Sequence, residues 1–293
     1  AATTNIVNLG NGGALQGIFS VPPTVRYVNT GRVIVNQNGG ILRLRPYVSH
    51  GTVSDFLAGV NDWNVGPGVI GFDVLSNVTA TIKQTMTISA SGDGGLVKSG
   101  PGTLTLEKDV ALTGTVTIAE GCLKANLTQT QTMNVYSNGT LDLGMMPAGL
   151  ALTTLAGSGN LTNGAVSVSG ALEIGDSAAT ISLLRADALT LKSGTVVKFD
   201  ANETTNDLVV VKNAFAAESN VTLDFGREEG NPIAVPSREY VIATYGVNGG
   251  IAAGWKLVNT GFPASTRLNA VVTARNGVVT VQVRYGGMVM ILR

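Results

Sequence analysis

Three side chains that could act on a carbohydrate lie within 14 residues of one another: His50, Asp62 and Trp63, with Asp55 between them. Paired carboxylates can serve as general acid and base in glycosidic cleavage. A tryptophan ring offers an apolar face on which a sugar can stack. The same residues also suit a plainer interpretation, in which the tryptophan packs and the histidine lies on the surface. We therefore treat His50, Asp62 and Trp63 as a possible ligand loop and assign no catalytic residue to it.

A second charged cluster comprises Asp224, Arg227, Glu228 and Glu229, and its composition is typical of a solvated turn. The chain has one histidine and one cysteine, Cys122, which excludes an intrachain disulfide and a thiolate metal cluster. No serine elbow, phosphate-binding loop or paired-histidine motif is present. The residues predict no enzyme, no cofactor and no metal site.

Calcium-binding repeats place several aspartates at a nonapeptide spacing in glycine-rich turns. Here Asp93, Asp176 and Asp200 are isolated from one another. The spacing therefore does not favour calcium.

Composition points to short strands joined by tight corners. The 293 residues include 38 glycines, and 44% are hydrophobic whereas only 13% are charged. Basic and acidic residues number 19 each, so no basic stripe attracts nucleic acid, and the absence of net charge permits association between copies. No apolar run is long enough for a membrane helix.

The most informative segment is Gly94–Leu106, GGLVKSGPGTLTL. Its alternation predicts a strand with Leu104 and Leu106 on the buried face and Thr103 and Thr105 on the other. The Gly100–Gly102 stretch predicts a corner. Looser versions recur at Gly139–Leu143, Gly170–Ile174 and Gly194–Phe199. Turn–strand units repeated at roughly 20 to 30 residues predict an all-β solenoid.

The pattern divides the chain into three parts. Residues 1–68 are the least regular, and 46–67 reads as a short helix or a loop. Residues 69–225 carry the repeat array, and 226–293 form a C-terminal β cap. Turn residues at Asn248–Gly250 and Asn276–Gly277 predict hairpins.

From about Gly71 to Thr260 the chain resembles the autotransporter-associated β-strand repeat family of bacterial surface and secreted proteins. Gly94–Leu106 is similar to the core repeat of that family almost residue for residue. Later segments match less specifically: Leu112–Ile118, Gly121–Leu123, Leu155–Gly159, Leu172–Ser177, Asn206–Val211, Tyr240–Tyr245 and Gly249–Ile251. The resemblance implies a right-handed parallel β-helix that is exported and serves adhesion, matrix or surface display.

Two features of the ends shape the functional expectation. Typical autotransporters carry a translocator barrel after the repeats, and none follows them here. Ala1–Thr4 is similar to the residues that remain after a signal peptide has been cleaved. The last residues before Arg293 are apolar: Met288, Val289, Met290, Ile291 and Leu292. This tail either docks on its own domain or adds as a strand to a sheet edge of the next copy.

These observations predict a non-catalytic structural subunit of an extracellular or cell-surface assembly, a fibre or a layer, that self-associates through its termini. The expected partners are copies of itself, with a glycan or a host surface as a further possibility. A monomeric surface adhesin or glycan-binding module is the alternative, and a carbohydrate-active β-helix enzyme is a third. The expected location is secreted or on the bacterial cell surface.

Overall fold

The computed structural model of the chain describes residues 4–10, 31–44, 51–176, 181–201, 205–226, 239–252, 255–258 and 268–285. Nearly all of this part is β-structure, and its regular helix is one 3₁₀ turn, Leu143–Met145. The strands are β1 Thr4–Leu9, β2 Arg32–Gln37, β3 Ile41–Leu44, β4 Gly51–Val53, β5 Asp62–Val65, β6 Ile70–Val74, β7 Val78–Ile82, β8 Met86–Ile88, β9 Leu96–Ser99, β10 Thr103–Val110, β11 Val116–Leu127, β12 Thr132–Asp142, β13 Leu150–Gly157, β14 Asn160–Ile174, β15 Leu183–Leu191, β16 Val196–Asp200, β17 Leu208–Ala217, β18 Thr222–Gly226, β19 Glu239–Ile251, β20 Lys256–Val258, β21 Leu268–Arg275 and β22 Val278–Tyr285. An all-β fold, as the alternation predicted, is confirmed.

The chain forms two compact units, residues 1–152 with 159–164 and residues 153–158 with 165–293. In the first unit the strands pair in parallel in three series. They run β1–β2–β5–β8, then β3–β6–β9–β11–β12, and finally β4–β7–β10–β11–β12–β14. Register partners lie from 17 residues apart, as for Thr117 and Asn134, to 30 residues apart, as for Arg43 and Asp73.

The core of this unit consists of stacked apolar columns. One column contains register partners that are at most 1% exposed, Ala80, Leu104, Leu123, Leu141 and Leu161. Each strand alternates, so Thr103 and Thr105 face away from this column, as predicted. Apolar residues recur at the same register position because stacked strands point these side chains into the same part of the core.

In the second unit, parallel pairing joins β14 to β16, β16 to β18 and β18 to β20, and also β15 to β17 and β17 to β19. The final strands differ in the direction of pairing, because β22 pairs antiparallel with both β19 and β21. Leu172, Val197 and Leu223 form an inward column there, each at most 4% exposed.

The predicted corner at Gly100–Gly102 is confirmed. Gly100 has φ +73°, and a Cβ on it would lie 2.4 Å from the carbonyl oxygen of Val74. Both the backbone angle and the close approach therefore require glycine. The hairpin at Asn276–Gly277 is confirmed as well, with φ angles of 51° and 77° at the turn between β21 and β22.

The hairpin prediction at Asn248–Gly250 is wrong, and the loop prediction for residues 46–67 is wrong in part. Asn248–Gly250 lies inside β19, whose backbone continues parallel to β17, so no hairpin forms there. Residues 46–67 were expected to form a loop or a short helix, and residues 54–61 do lie outside the strands, but β4 and β5 also lie in this segment and pair in register with β7 and β8. Strand pairing therefore crosses position 68 without a break.

The described ranges contain no helix that is both long and apolar enough to cross a membrane.

Candidate binding groove

A groove of about 230 Å³ lies in the first unit where three parallel strands of one series end. It is lined by the last residues of β2 and β5, by the residues that follow them, and by two serines after β8. These residues are Asn36, Gln37, Asn38, Asn64, Val65, Gly66, Pro67, Ser89 and Ser91. None of them carries a charge, so the lining offers amides, hydroxyls and carbon surface.

An asparagine ladder forms one wall of the groove. Asn8, Asn36 and Asn64 are register partners on β1, β2 and β5. Asn36 Nδ2 donates to Asn8 Oδ1 at 2.9 Å, and Asn64 Nδ2 donates to Asn36 Oδ1 at 2.8 Å. In-register parallel strands place identical amides one above the other, which favours this head-to-tail bonding. Within the described residues, Asn64 Oδ1 has no hydrogen-bond donor.

Gln37 ends β2, and its side chain faces the core, opposite to the face that carries the asparagine ladder. It is 0% exposed, and its Oε1 accepts a hydrogen bond from Trp63 Nε1 at 3.1 Å. Because the indole N–H is a donor only, this bond assigns the amide oxygen to Oε1. Among the described residues, the buried Nε2 then has no acceptor. A buried amide donor left without a partner costs about 1–3 kcal/mol, and the burial of Nε2 keeps it out of reach of a ligand in the groove.

The rim is braced by local hydrogen bonds. Asn38 Oδ1 accepts from the backbone N–H of Gly68 at 2.8 Å, and the hydroxyls of Ser89 and Ser91 lie 2.9 Å apart. A Cβ on Gly68 would lie 2.7 Å from the backbone of Asn38, so glycine is required for this close approach. The rim is therefore preformed.

The expected ligand loop is divided by the structure. Asp62 and Trp63 are consecutive residues of β5, so their side chains point to opposite faces. Trp63 is 1% exposed and packs edge-to-face on Phe72, with ring centroids 6.0 Å apart. A sugar cannot stack on a buried ring, so that expectation for Trp63 is wrong. His50 lies outside the described residues.

Asp62 is engaged in an ion pair at the surface. Its carboxylate accepts from Arg32 Nε at 2.6 Å and from Arg32 Nη2 at 2.8 Å. These hydrogen bonds lower the pKa of Asp62 below its ordinary value. The group is therefore ionised at neutral pH and unsuited to act as a general acid.

Sequence reasoning missed Lys98, although it lies within the Gly94–Leu106 segment. The residue is 0% exposed in the core column between Phe72 and Ile118. Its Nζ donates to the carbonyl oxygens of Ser99 at 3.0 Å, Gly100 at 2.6 Å and Glu120 at 3.0 Å. Burial lowers the pKa of Lys98 to about 8. A lysine at an inward position of an alternating strand, just before a glycine corner, is the signal that could have identified it.

Two aspartates are structural. The carboxylate of Asp93 accepts from the N–H groups of Gly95, Thr113 and Gly114, each at 2.9 Å. Burial raises its pKa, but these bonds outweigh burial and the net shift is downward. Asp207 is 0% exposed and accepts from the N–H groups of Ser182 and Asp200, each at 2.7 Å. Burial raises the pKa of Asp207 to about 7.

The self-association residues expected at the C-terminus, Met288, Val289, Met290, Ile291 and Leu292, lie outside the part of the chain that the structure describes. Comparison with known proteins found no protein-family model and no curated protein that matches this chain.

Proposed function

We propose that the parallel strands are coils of a right-handed parallel β-helix and that the chain is a non-catalytic structural subunit of an extracellular or cell-surface assembly. Support for the β-helix comes from the three parallel series, because the consecutive strands β5, β6 and β7 belong to three different series, and so do β8, β9 and β10. Right-handedness follows from the strong preference of crossovers between parallel strands. The resemblance of Gly94–Leu106 to the autotransporter-associated repeat supports export.

The structural role is supported by the position of the ion pairs, because they join register partners on neighbouring strands. Arg43 and Asp73 are register partners with 2.5 Å between Nε and Oδ2, and Lys124 and Asp142 are register partners with 2.9 Å between Nζ and Oδ2. Glu173 and Lys198 are paired in the same way in the second unit. Such surface pairs contribute little stability each, about 0–1 kcal/mol. Their main effect is to specify the register between layers.

Self-association is the second part of the proposal, and β1 supports it. Among the described residues β1 pairs with β2 alone, so its other edge has free backbone N–H and C=O groups there. The strand Thr4–Leu9 has no charge and no proline, and Ile6 is 57% exposed. Natural edge strands usually carry charges or proline that block pairing with another chain. The C-terminal residues 288–292 remain the second proposed joint.

Negative-stain electron microscopy of the full chain, together with its mass in solution, tests this function. We expect particles longer than one molecule, which Ile6→Lys shortens and deletion of 288–293 also shortens. Val69→Lys is the matched control, because Val69 is 50% exposed in the same unit but lies outside β1. Dispersed single molecules at physiological salt would contradict self-association, and assemblies unchanged by both alterations would exclude the two proposed joints.

A further inference from the structure

The open edge of β1 presents a defined set of backbone groups. The N–H of Asn38 donates to the carbonyl oxygen of Leu9 at 2.8 Å, so the backbone groups of Leu9 point toward β2. Backbone groups alternate between the two edges of a strand, just as side chains alternate between its two faces. The N–H and C=O groups of Thr4, Ile6 and Asn8 therefore point away from β2, toward the open edge.

The side chains of these three residues share one face of the strand, and all three are exposed. The strand has no charge. The one charged residue of β2, Arg32, is neutralised by Asp62. A second copy of this edge therefore meets no opposing like charge, which would otherwise destabilise a strand pair.

We propose that β1 pairs antiparallel with β1 of a second copy, about a two-fold axis that passes between the two Ile6 side chains. The inference rests on the self-association proposed above and specifies the partner at its β1 joint. A two-fold interface uses the same surface on both copies, so one open edge supplies both halves of the contact.

The register follows from the alternation along the strand. In an antiparallel pair, opposite residues share a face, and hydrogen-bonded pairs exchange both N–H···O=C bonds. The free backbone groups and the exposed face belong to the same residues, Thr4, Ile6 and Asn8. The register that uses all of them places Ile6 opposite Ile6 and Thr4 opposite Asn8 of the second copy. The two Ile6 side chains, each 57% exposed in the single chain, then remove apolar surface from water.

The asparagine ladder ends at this joint. Asn8 Oδ1 accepts from Asn36 Nδ2, and Asn8 Nδ2 has no acceptor in the part of the chain that the structure describes. In the proposed register Asn8 lies opposite Thr4 of the second copy, whose hydroxyl oxygen can accept this hydrogen bond. The two-fold axis repeats the bond, so each ladder continues into the other copy.

Disulfide cross-linking of the full chain tests the joint. Single cysteines are introduced in a Cys122→Ser background and oxidised with copper phenanthroline in air, and covalent dimers are identified by mass. Ile6→Cys should give at least about tenfold more dimer than Val69→Cys, because hydrogen-bonded antiparallel pairs have a Cα separation of roughly 5.5 Å, which a disulfide spans. Val69 is the matched control, since it is 50% exposed in the same unit but lies outside β1.

A mixture of two variants tests the register. Thr4→Cys and isotope-labelled Asn8→Cys, oxidised together, should give mainly mixed dimers, because the antiparallel register places these two positions opposite each other. A parallel register would instead join each variant to itself. Mixed dimers that do not exceed the like-with-like dimers would therefore overturn the inference, as would Ile6→Cys dimers no more abundant than those of Val69→Cys.

Hydrogen exchange of the unaltered chain provides a measurement that needs no variant. The N–H groups of Ile6 and Asn8 should exchange more slowly as the protein concentration rises, and rates that do not change would overturn the inference. Long assemblies that form without the Ile6→Cys cross-link would contradict this joint but leave the proposed function in place. Cross-linked dimers without longer particles would support the joint and contradict the extended assembly.

Discussion

The ammonium group of Lys98 and the carbonyl oxygen of Glu120, 22 residues apart in sequence, are joined by a 3.0 Å hydrogen bond. The same ammonium also donates to Ser99 and Gly100 in its own layer. One buried lysine thus connects a glycine corner to the layer that follows it.

Replacing Lys98 with methionine should destabilise the protein by about 1–3 kcal/mol, because three carbonyl oxygens lose their donor. The gain from no longer burying a charge offsets part of this loss. Urea unfolding measures the change, and Lys83→Met is the control, since Lys83 is exposed at the end of β7. A variant as stable as the unaltered protein would show that these bonds do not hold the corner.

The asparagine ladder predicts that replacing asparagine by aspartate destabilises the protein more at position 36 than at position 8. Asn36→Asp replaces the Nδ2 donor by an oxygen that faces Asn8 Oδ1, so it should cost about 1 kcal/mol. Asn8→Asp keeps the accepting oxygen and should cost less, because Asn8 only accepts in the ladder. Thermal unfolding of both variants compares them. Equal losses would contradict the assigned direction of the ladder bonds.

Gly121 and Gly194 have similar backbone angles but different surroundings. Replacing each by alanine therefore separates the cost of backbone strain from the cost of steric crowding. Gly121 has φ +74° and a Cβ there would lie 2.4 Å from the Gly102 carbonyl oxygen, whereas Gly194 has φ +86° and free space around it. We expect Gly194→Ala to cost about 1 kcal/mol from the backbone alone. Gly121→Ala should cost clearly more, because a backbone oxygen must move. Chemical denaturation of both variants checks this, and equal costs would show that the backbone around Gly121 moves easily.

Asp207 predicts a pH dependence of stability in the second unit. Burial raises its pKa from 3.8 to about 7, with the neighbouring Asp200 charge adding to the effect and the two backbone hydrogen bonds opposing it. Between these values the unfolded chain is ionised while the folded group keeps its proton. Its stabilising contribution is therefore complete below about pH 4 and is lost as the pH rises through 7.

The measurement for Asp207 is the free energy of unfolding between pH 4 and 8. Asp207→Asn should remove this part of the slope, whereas Glu239→Gln, at an exposed position of β19, should retain it. A slope unchanged by Asp207→Asn would assign the pH dependence to other groups.

The local sequence pattern predicted those turns whose signal lies within a few consecutive residues. Gly100–Gly102 and Asn276–Gly277 form the expected turns because glycine and asparagine tolerate positive φ. Asn248–Gly250 carries the same signal but stays within β19, since pairing with β17 outweighs its turn preference. The short strands β4 and β5 were missed because three or four residues carry too little periodicity, and only their partners define them.

The groove could not be predicted from the spacing of its lining residues along the sequence. Asn36, Asn64 and Ser89 are separated by more than 20 residues each, and parallel register brings them together.

By itself the sequence determined the all-β class, the alternation of buried and exposed residues, and the positions of the tightest corners, because these follow from single-residue conformational preferences. Only the tertiary structure decided that Trp63 is buried against Gln37, that Asp62 is neutralised by Arg32, and that Lys98 caps a corner. Those relationships depend on which strands become neighbours, and hydrogen bonding between distant segments sets that choice.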